Sequence, residues 1–280
     1  MSLGLYGFRQ FVFPKLFASA QFKFCLHQTN KQNPLTKHHR HYSSAEQNLL
    51  SSQTSDTEQL FDFQNDWPAN EKIEFIQDMS LTLDFVTEQE EAQLQAEFEK
   101  VMKRMRYEYD HWDNAIHGYR EREKGDWTPE NEQIFKRIHN KAFTANIIPQ
   151  VHVLDLAANG IIKPHVDSVR YCGSTIAGIS LLTDCIMRLK RVDEKDYKQN
   201  IFGNDQIESK PKNDSTVTKN EAKPEFNHFV DILLKRRSLY IMKDTARYNF
   251  SHEVLPTKST FLGKEIIKDR RVSIICRNQA

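Results

Sequence analysis

The stretch "IKPHVDSVRYCGSTIAGISLL" sets His165 and Asp167 one residue apart, ahead of an apolar run. Imidazole plus carboxylate suits Fe(II), Mn(II) or Zn(II). Two residues spaced i, i+2 on a strand project to the same side, so their donors can converge on one cation. A chain with 11 histidines has a fair chance of one such pair, and the pair gains meaning only if a third donor exists. His252, in "ARYNFSHEVL", is the best candidate, because an apolar-flanked strand pattern gives an unliganded histidine little reason to be there. Two histidines and one aspartate fill one face of an octahedron and leave three positions open. Zinc catalysis more often uses three tight ligands and one water in a tetrahedron.

Open coordination positions need an occupant. In "DRRVSIICRNQ" a period of two puts Arg271, Ser273, Ile275 and Arg277 on one face and Val272, Ile274 and Cys276 on the other. Arginines on an inward face are costly unless each meets an anion, and the guanidinium fork matches a carboxylate bidentately. A short dicarboxylate fits. In 2-oxoglutarate the 2-oxo acid end chelates iron and the distal carboxylate requires an arginine. The competing reading is a surface strand with two solvated arginines, and the metal triad decides against it.

These residues need rigid elements. From Ile147 the chain turns into short β-branched runs, among them "IIPQVHVLDLA", "STIAGISLL", "CIMRLKRV", "HFVDILL", "SLYIM" and "RVSIICR", separated by turn residues. Seven or more such runs predict a jelly-roll sandwich or barrel. Two helices precede them. One opens at the capping box Thr87 and Glu90 and carries Phe98, Val101, Met102 and Met105 at helical spacing; the other spans 128–146 with Ile134, Ile138 and Phe143 inward. They would cover one face of the larger sheet. Ile73, Phe75 and Ile76, then Leu81, Leu83 and Phe85, suggest strand-like pieces, and 43–70 reads as a loose linker. Arg106–Trp127, dense in rings and charges, reads equally as a substrate mouth or as an irregular loop. Asp193–Asn227 is polar and patternless, a surface insertion between two paired strands.

Length and composition suit one domain of moderate size or two small ones, and no apolar run approaches the roughly 20 residues of a membrane span. Cys25, Cys172, Cys185 and Cys276 show no CxxC spacing, which argues against a disulfide framework or a structural zinc module. Residues 1–42 hold Arg9, Lys15, Lys23, Lys31, Lys37 and Arg40 and no acid, the pattern of a mitochondrial transit peptide; "RHYSS" resembles a matrix-peptidase site. Its removal takes six of 39 basic residues and none of 38 acids, leaving a net charge of about −5, the opposite of a protein that grips duplex nucleic acid through its phosphates. No DNA duplex partner is expected.

"KPHVDS", "YIMKDTARYNFSHEV" and "RRVSIICR" together resemble the AlkB family of Fe(II)/2-oxoglutarate dioxygenases. "YEYDHWDNAIHGYRE" and "VHVLDLAANGIIKPHVDS" are similar to a mitochondrial branch of it, over roughly Leu83–Arg277 apart from the insertion. The resemblance implies an α+β double-stranded β-helix over 71–280. It implies iron held by His165, Asp167 and His252, 2-oxoglutarate held by Tyr240, Arg271 and Arg277, and O2 as second cosubstrate. Arg271 is then the partner of the distal carboxylate and Arg277 lies nearer the iron. DNA-repairing members carry Asn and Tyr where this chain has Leu154 and Leu156, and Tyr240 is placed to substitute. The branch also lacks the usual nucleotide-recognition lid. The expected activity is hydroxylation of a protein in the mitochondrial matrix, which that branch links to fatty-acid metabolism and programmed necrosis. The alternatives are demethylation of mitochondrial RNA, with Trp112, Tyr107 and Tyr119 stacking on an unpaired base, and a scaffold without chemistry.

Overall fold

The computed structural model describes residues 59–109, 111, 115–144, 146–193 and 227–280. The expected transit peptide, the first part of the expected 43–70 linker, Trp112 and all but the ends of the expected insertion lie outside the described residues.

The strands from β4 onward alternate because a curled sheet buries one face inside and the other under helices. Strand β4 (Val151–His165) runs beside β12 (Arg271–Arg277), then β5 (Thr175–Leu181), β8 (Ser238–Lys243) and β2 (Met79–Thr82), all antiparallel. Beyond its own midpoint β4 turns to pair with β9 (Phe250–Val254), which continues through β6 (Cys185–Arg191) and β7 (Phe229–Leu234) to β1 (Phe61–Gln64). Strand β3 (Ile116–Lys124) branches off the sheet by pairing with β4, and β10 (Ser259–Phe261) with β11 (Lys264–Ile266) forms a separate hairpin. This is the predicted double-stranded β-helix, and the strands flanking the insertion, β6 and β7, do pair.

The register sorts the two faces. Leu156, Leu154 and His152 lie opposite Arg271, Ser273 and Ile275, so all six share the inner face. The row through Ile275 continues to Gly178 and Tyr240. On the outer face Val153, Val272, Ile274, Cys276, Ala177, Ile179, Leu239 and Ile241 pack under two helices, α2 (Glu88–Met102) and α3 (Pro129–Ala142), through Leu94, Phe98, Met102, Ile134 and Ile138. Both helices fall where their spacing predicts. Thr87 and Glu90 form the reciprocal cap at 2.9 and 3.1 Å.

Three expectations change. Ile73, Phe75 and Ile76 lie in a helix, α1 (Ala69–Asp78), because Pro68 starts it and Phe75 turns into an aromatic cluster with Phe63, Trp67 and Phe250. Phe61–Gln64, within the expected linker, is strand β1 on the edge of the sheet. The segment around Arg106–Trp127 contains β3 rather than an irregular loop. A short helix, α4 (Asp244–Tyr248), precedes β9. Cys172, Cys185 and Cys276 are buried free thiols. No helix among the described residues is long and apolar enough to cross a membrane.

Candidate metal centre and cosubstrate pocket

His165 ends β4 directly opposite His252 on β9. Residues facing each other across antiparallel strands project to the same side, and the two rings sit 4.3 Å apart between centroids. Asp167 lies two residues past the end of β4, so the i, i+2 strand geometry inferred from sequence does not hold it there. Even so, its Oδ1 lies 3.4 Å from His165 Nε2 and 3.8 Å from His252 Nε2. The three donor atoms fall within 4.8 Å of one another, a spacing that fits a single cation. His165 Nδ1 is 2.9 Å from the Lys163 carbonyl. A carbonyl only accepts, so Nδ1 carries the proton and the Nε2 lone pair is left facing the cluster.

The electrostatics agree with a ligand set. Burial pushes the Asp167 carboxyl up, but the neighbouring His165, then Arg277 and His252, outweigh it and hold the group well below the usual range. Burial, then the neighbouring His165, brings His252 down to about 3. A carboxylate and neutral imidazoles are the forms that bind metal.

All six predicted site residues line one cavity of about 1420 Å³. Arg271 is buried at 2% exposure, donates from Nε to Ser180 Oγ at 3.2 Å, and has no carboxylate partner among the described residues. A buried guanidinium that faces a cavity without a counter-charge fits an anionic guest. The Tyr240 hydroxyl lies 3.2 Å from Ser273 Oγ in the same wall. Leu154 lines that wall and Leu156 is fully buried, so the wall's polar surface comes from Tyr240, Ser273 and Arg271. Arg277 stands at the metal end, its Nε 3.6 Å from Asp167 Oδ2.

Three residues around the site were missed by sequence reasoning. Gly178 leaves the space that Tyr240 occupies; a Cβ there would lie 2.4 Å from the ring Cζ and hydroxyl. His152 accepts from Arg277, and Glu121 accepts from His152. The signal for His152 was present: it alternates with Leu154 and Leu156 in "VHVLDLA". Of the rings proposed to stack on a base, Tyr107 donates to Asp155 and Tyr119 is buried in the core, so both are committed to packing.

No protein-family model matches the chain. It is 41% identical over 197 residues to the mouse protein "Alpha-ketoglutarate-dependent dioxygenase alkB homolog 7, mitochondrial", covering 69% of this chain and 75% of that one. It is 40% identical to the cattle protein of the same name over the same shares. The solved structure of OsALKBH1 superposes with a TM-score of 0.48 at 12% identity, over 72% of this chain and 98% of that one. The two mammalian relatives are mitochondrial by name, in agreement with the acid-free N-terminus. By this kinship the chain belongs to the mitochondrial AlkB branch of the alpha-ketoglutarate-dependent dioxygenases, enzymes that use Fe(II), 2-oxoglutarate and O2.

Proposed function

We propose that this dioxygenase hydroxylates a protein side chain in the mitochondrial matrix, with iron on His165, Asp167 and His252 and 2-oxoglutarate between Arg271, Tyr240 and Arg277. One observation carries the reading: three metal-type donors and a buried, uncompensated Arg271 open into the same cavity. Bound iron would supply the oxidation, in which 2-oxoglutarate loses CO2 and takes one atom of O2 to become succinate while the other atom enters a C–H bond of the substrate. The chain supplies the rest. The Lys163 carbonyl fixes the His165 tautomer, Arg271 takes the distal carboxylate, Tyr240 and Ser273 offer hydroxyls along its length, and Ile162, Met187 and Val254 give the wall an apolar side that limits water.

Protein is favoured over RNA by the electrostatics and by the rings. The cavity mouth mixes Glu121 and Glu123 with Arg122, Lys163 and Arg170 instead of forming a basic groove, and Tyr107 and Tyr119 are engaged elsewhere.

His165→Ala or Asp167→Ala should stop succinate release from 2-oxoglutarate. Arg271→Met should weaken 2-oxoglutarate about 10- to 150-fold, the range expected for a lost charge-assisted hydrogen bond. Turnover at the wild-type rate in either ligand variant would refute the metal assignment. Iron-loaded protein incubated with mitochondrial extract should add oxygen to a protein; removal of a methyl group from RNA would overturn the substrate class.

A further inference from the structure

Four side chains stand in a row from the cavity mouth to the metal centre. Glu121 Oε2 lies 2.9 Å from His152 Nε2, His152 Nδ1 lies 3.1 Å from Arg277 Nη1, and Arg277 Nε lies 3.6 Å from Asp167 Oδ2. His111 Nε2 adds a 3.8 Å contact to the other Glu121 oxygen. The donors dictate the direction. A guanidinium only donates, so His152 Nδ1 must accept; Nε2 then carries the proton, and the Glu121 carboxylate accepts it. The His152 ring is neutral, with one tautomer set from both sides. Glu121, His152 and Arg277 come from the neighbouring strands β3, β4 and β12, whose backbone ladders already hold those strands together. Fastening strands therefore does not require this row.

What the row does constrain is Arg277. Its Nε is buried without a hydrogen-bond partner, next to a carboxylate that is wanted by the metal. If Nη1 lost its acceptor, the fork could close onto Asp167 and compete with the cation for that oxygen. We propose that His152, oriented by Glu121, is a positioning residue: it limits the Arg277 guanidinium to its 3.6 Å contact with Asp167 and keeps the rest of the fork turned toward the metal end of the cosubstrate. The proposal rests on the pocket assignment made under Proposed function.

The test measures binding without turnover, by calorimetry of 2-oxoglutarate on protein loaded with Mn(II). His152→Leu should weaken 2-oxoglutarate about tenfold, the loss of one hydrogen bond to a charged group. His152→Asn, which keeps an acceptor near the Nδ1 position, should recover most of that. Added to Arg277→Met, His152→Leu should cost nothing more, because it acts through Arg277. An unchanged affinity in His152→Leu, or an equal loss in both backgrounds, overturns the inference. If His152→Leu does not fold, Glu121→Gln takes its place; it should weaken binding by a smaller factor, and no change would overturn the proposal. Wild-type protein that fails to bind 2-oxoglutarate, or Arg277→Met that binds it normally, sinks the pocket assignment itself, which is a separate result.

Discussion

Replacing Gly178 by Ala tests whether the pocket works as its wall is drawn. The added Cβ would sit 2.4 Å from Tyr240 Cζ and Oη and 2.6 Å from Cε1. Carbon atoms in contact prefer roughly 3.5–4.0 Å, so something must move by about 1 Å. The glycine backbone has little freedom, because β5 is paired on both sides, with Ile275 of β12 and Tyr240 of β8. The ring is what yields, and it takes the hydroxyl away from Ser273. Overpacking of this kind costs about 1–3 kcal/mol of stability. If the hydroxyl also serves the 2-oxoglutarate carboxylate, its loss is worth about 1.5–3 kcal/mol, or roughly 10- to 150-fold in affinity. Calorimetry on Mn(II)-loaded protein reads the second quantity and urea unfolding the first. In a Tyr240→Ala background the same glycine change should affect neither. Wild-type affinity in Gly178→Ala, or an equal loss without the tyrosine ring, would refute the reasoning.

Two further perturbations address the supports of the wall. Asp155 is fully buried and receives Arg120 at 2.8 Å, Arg270 at 2.7 and 3.0 Å and the Tyr107 hydroxyl at 3.1 Å. Asp155→Ala leaves the buried Arg120 without a carboxylate and Arg270 with Glu99 alone at 2.6 Å, and should cost about 3–5 kcal/mol; a loss under about 1 kcal/mol by urea unfolding would show that water replaces the carboxylate. Burial acts to raise the Glu97 carboxyl, but the hydrogen bonds from Asn131 and Thr128 and the Lys124 contact outweigh it and leave the pKa below the ordinary value. A depressed carboxyl stabilises the fold fully above its unfolded value of about 4.3 and loses that contribution as pH falls through its folded value. The stability gap between wild type and Glu97→Gln should then be constant at neutral pH and shrink below about pH 4; a gap that widens toward acid would refute the assignment.

The parts of this protein that could be read from its sequence are those where a strand buries one clean face. "RVSIICR" alternates because Val272, Ile274 and Cys276 lie under α2 and α3 while Arg271 and Ser273 face the cavity. The candidate triad could be proposed for a related reason: each histidine sits in a recognisable strand, Asp167 follows one closely, and the fold brings the three donors within 4.8 Å of one another. Strand β3 was not legible. Arg120 faces the buried Asp155 and Glu121 faces His152, so both faces of "IHGYREREK" are polar and no hydrophobic period remains. Helix α1 was misread because apolar residues at 73, 75 and 76 satisfy either period; the choice is made by Trp67 and Phe250, far apart in the chain. Gly178 carries no local mark, since what it accommodates is a ring on a neighbouring strand.

The distance between the two ends of the pocket is a property of one strand. The proposed anion end belongs to β12, β5 and β8, and the proposed metal end to β9 and the last turn of backbone after β4; among the described strands, β4 joins both groups. It pairs with β12 through Leu156 and with β9 from Ile162, and its register to β3 slips between His117 and Tyr119. The bend lies in "AANG". Gly118 opposes it at φ +66°, and a Cβ on Gly160 would lie 2.5 Å from the Gly118 carbonyl and 2.8 Å from Leu156 Cδ1. Buried Lys268 donates to the carbonyls of Ala157 and Ala158 as the strand leaves the ladder. Backbone groups freed by a bulge are costly when buried unless something takes them up, and this lysine does so. The bend therefore has its own steric and hydrogen-bonding definition, independent of any guest, so the span from His165 to Arg271 is set before a cosubstrate arrives. With the two ends assigned as proposed, such a pocket should select dicarboxylates by length, because neither anchoring group can follow a ligand that is too short or too long.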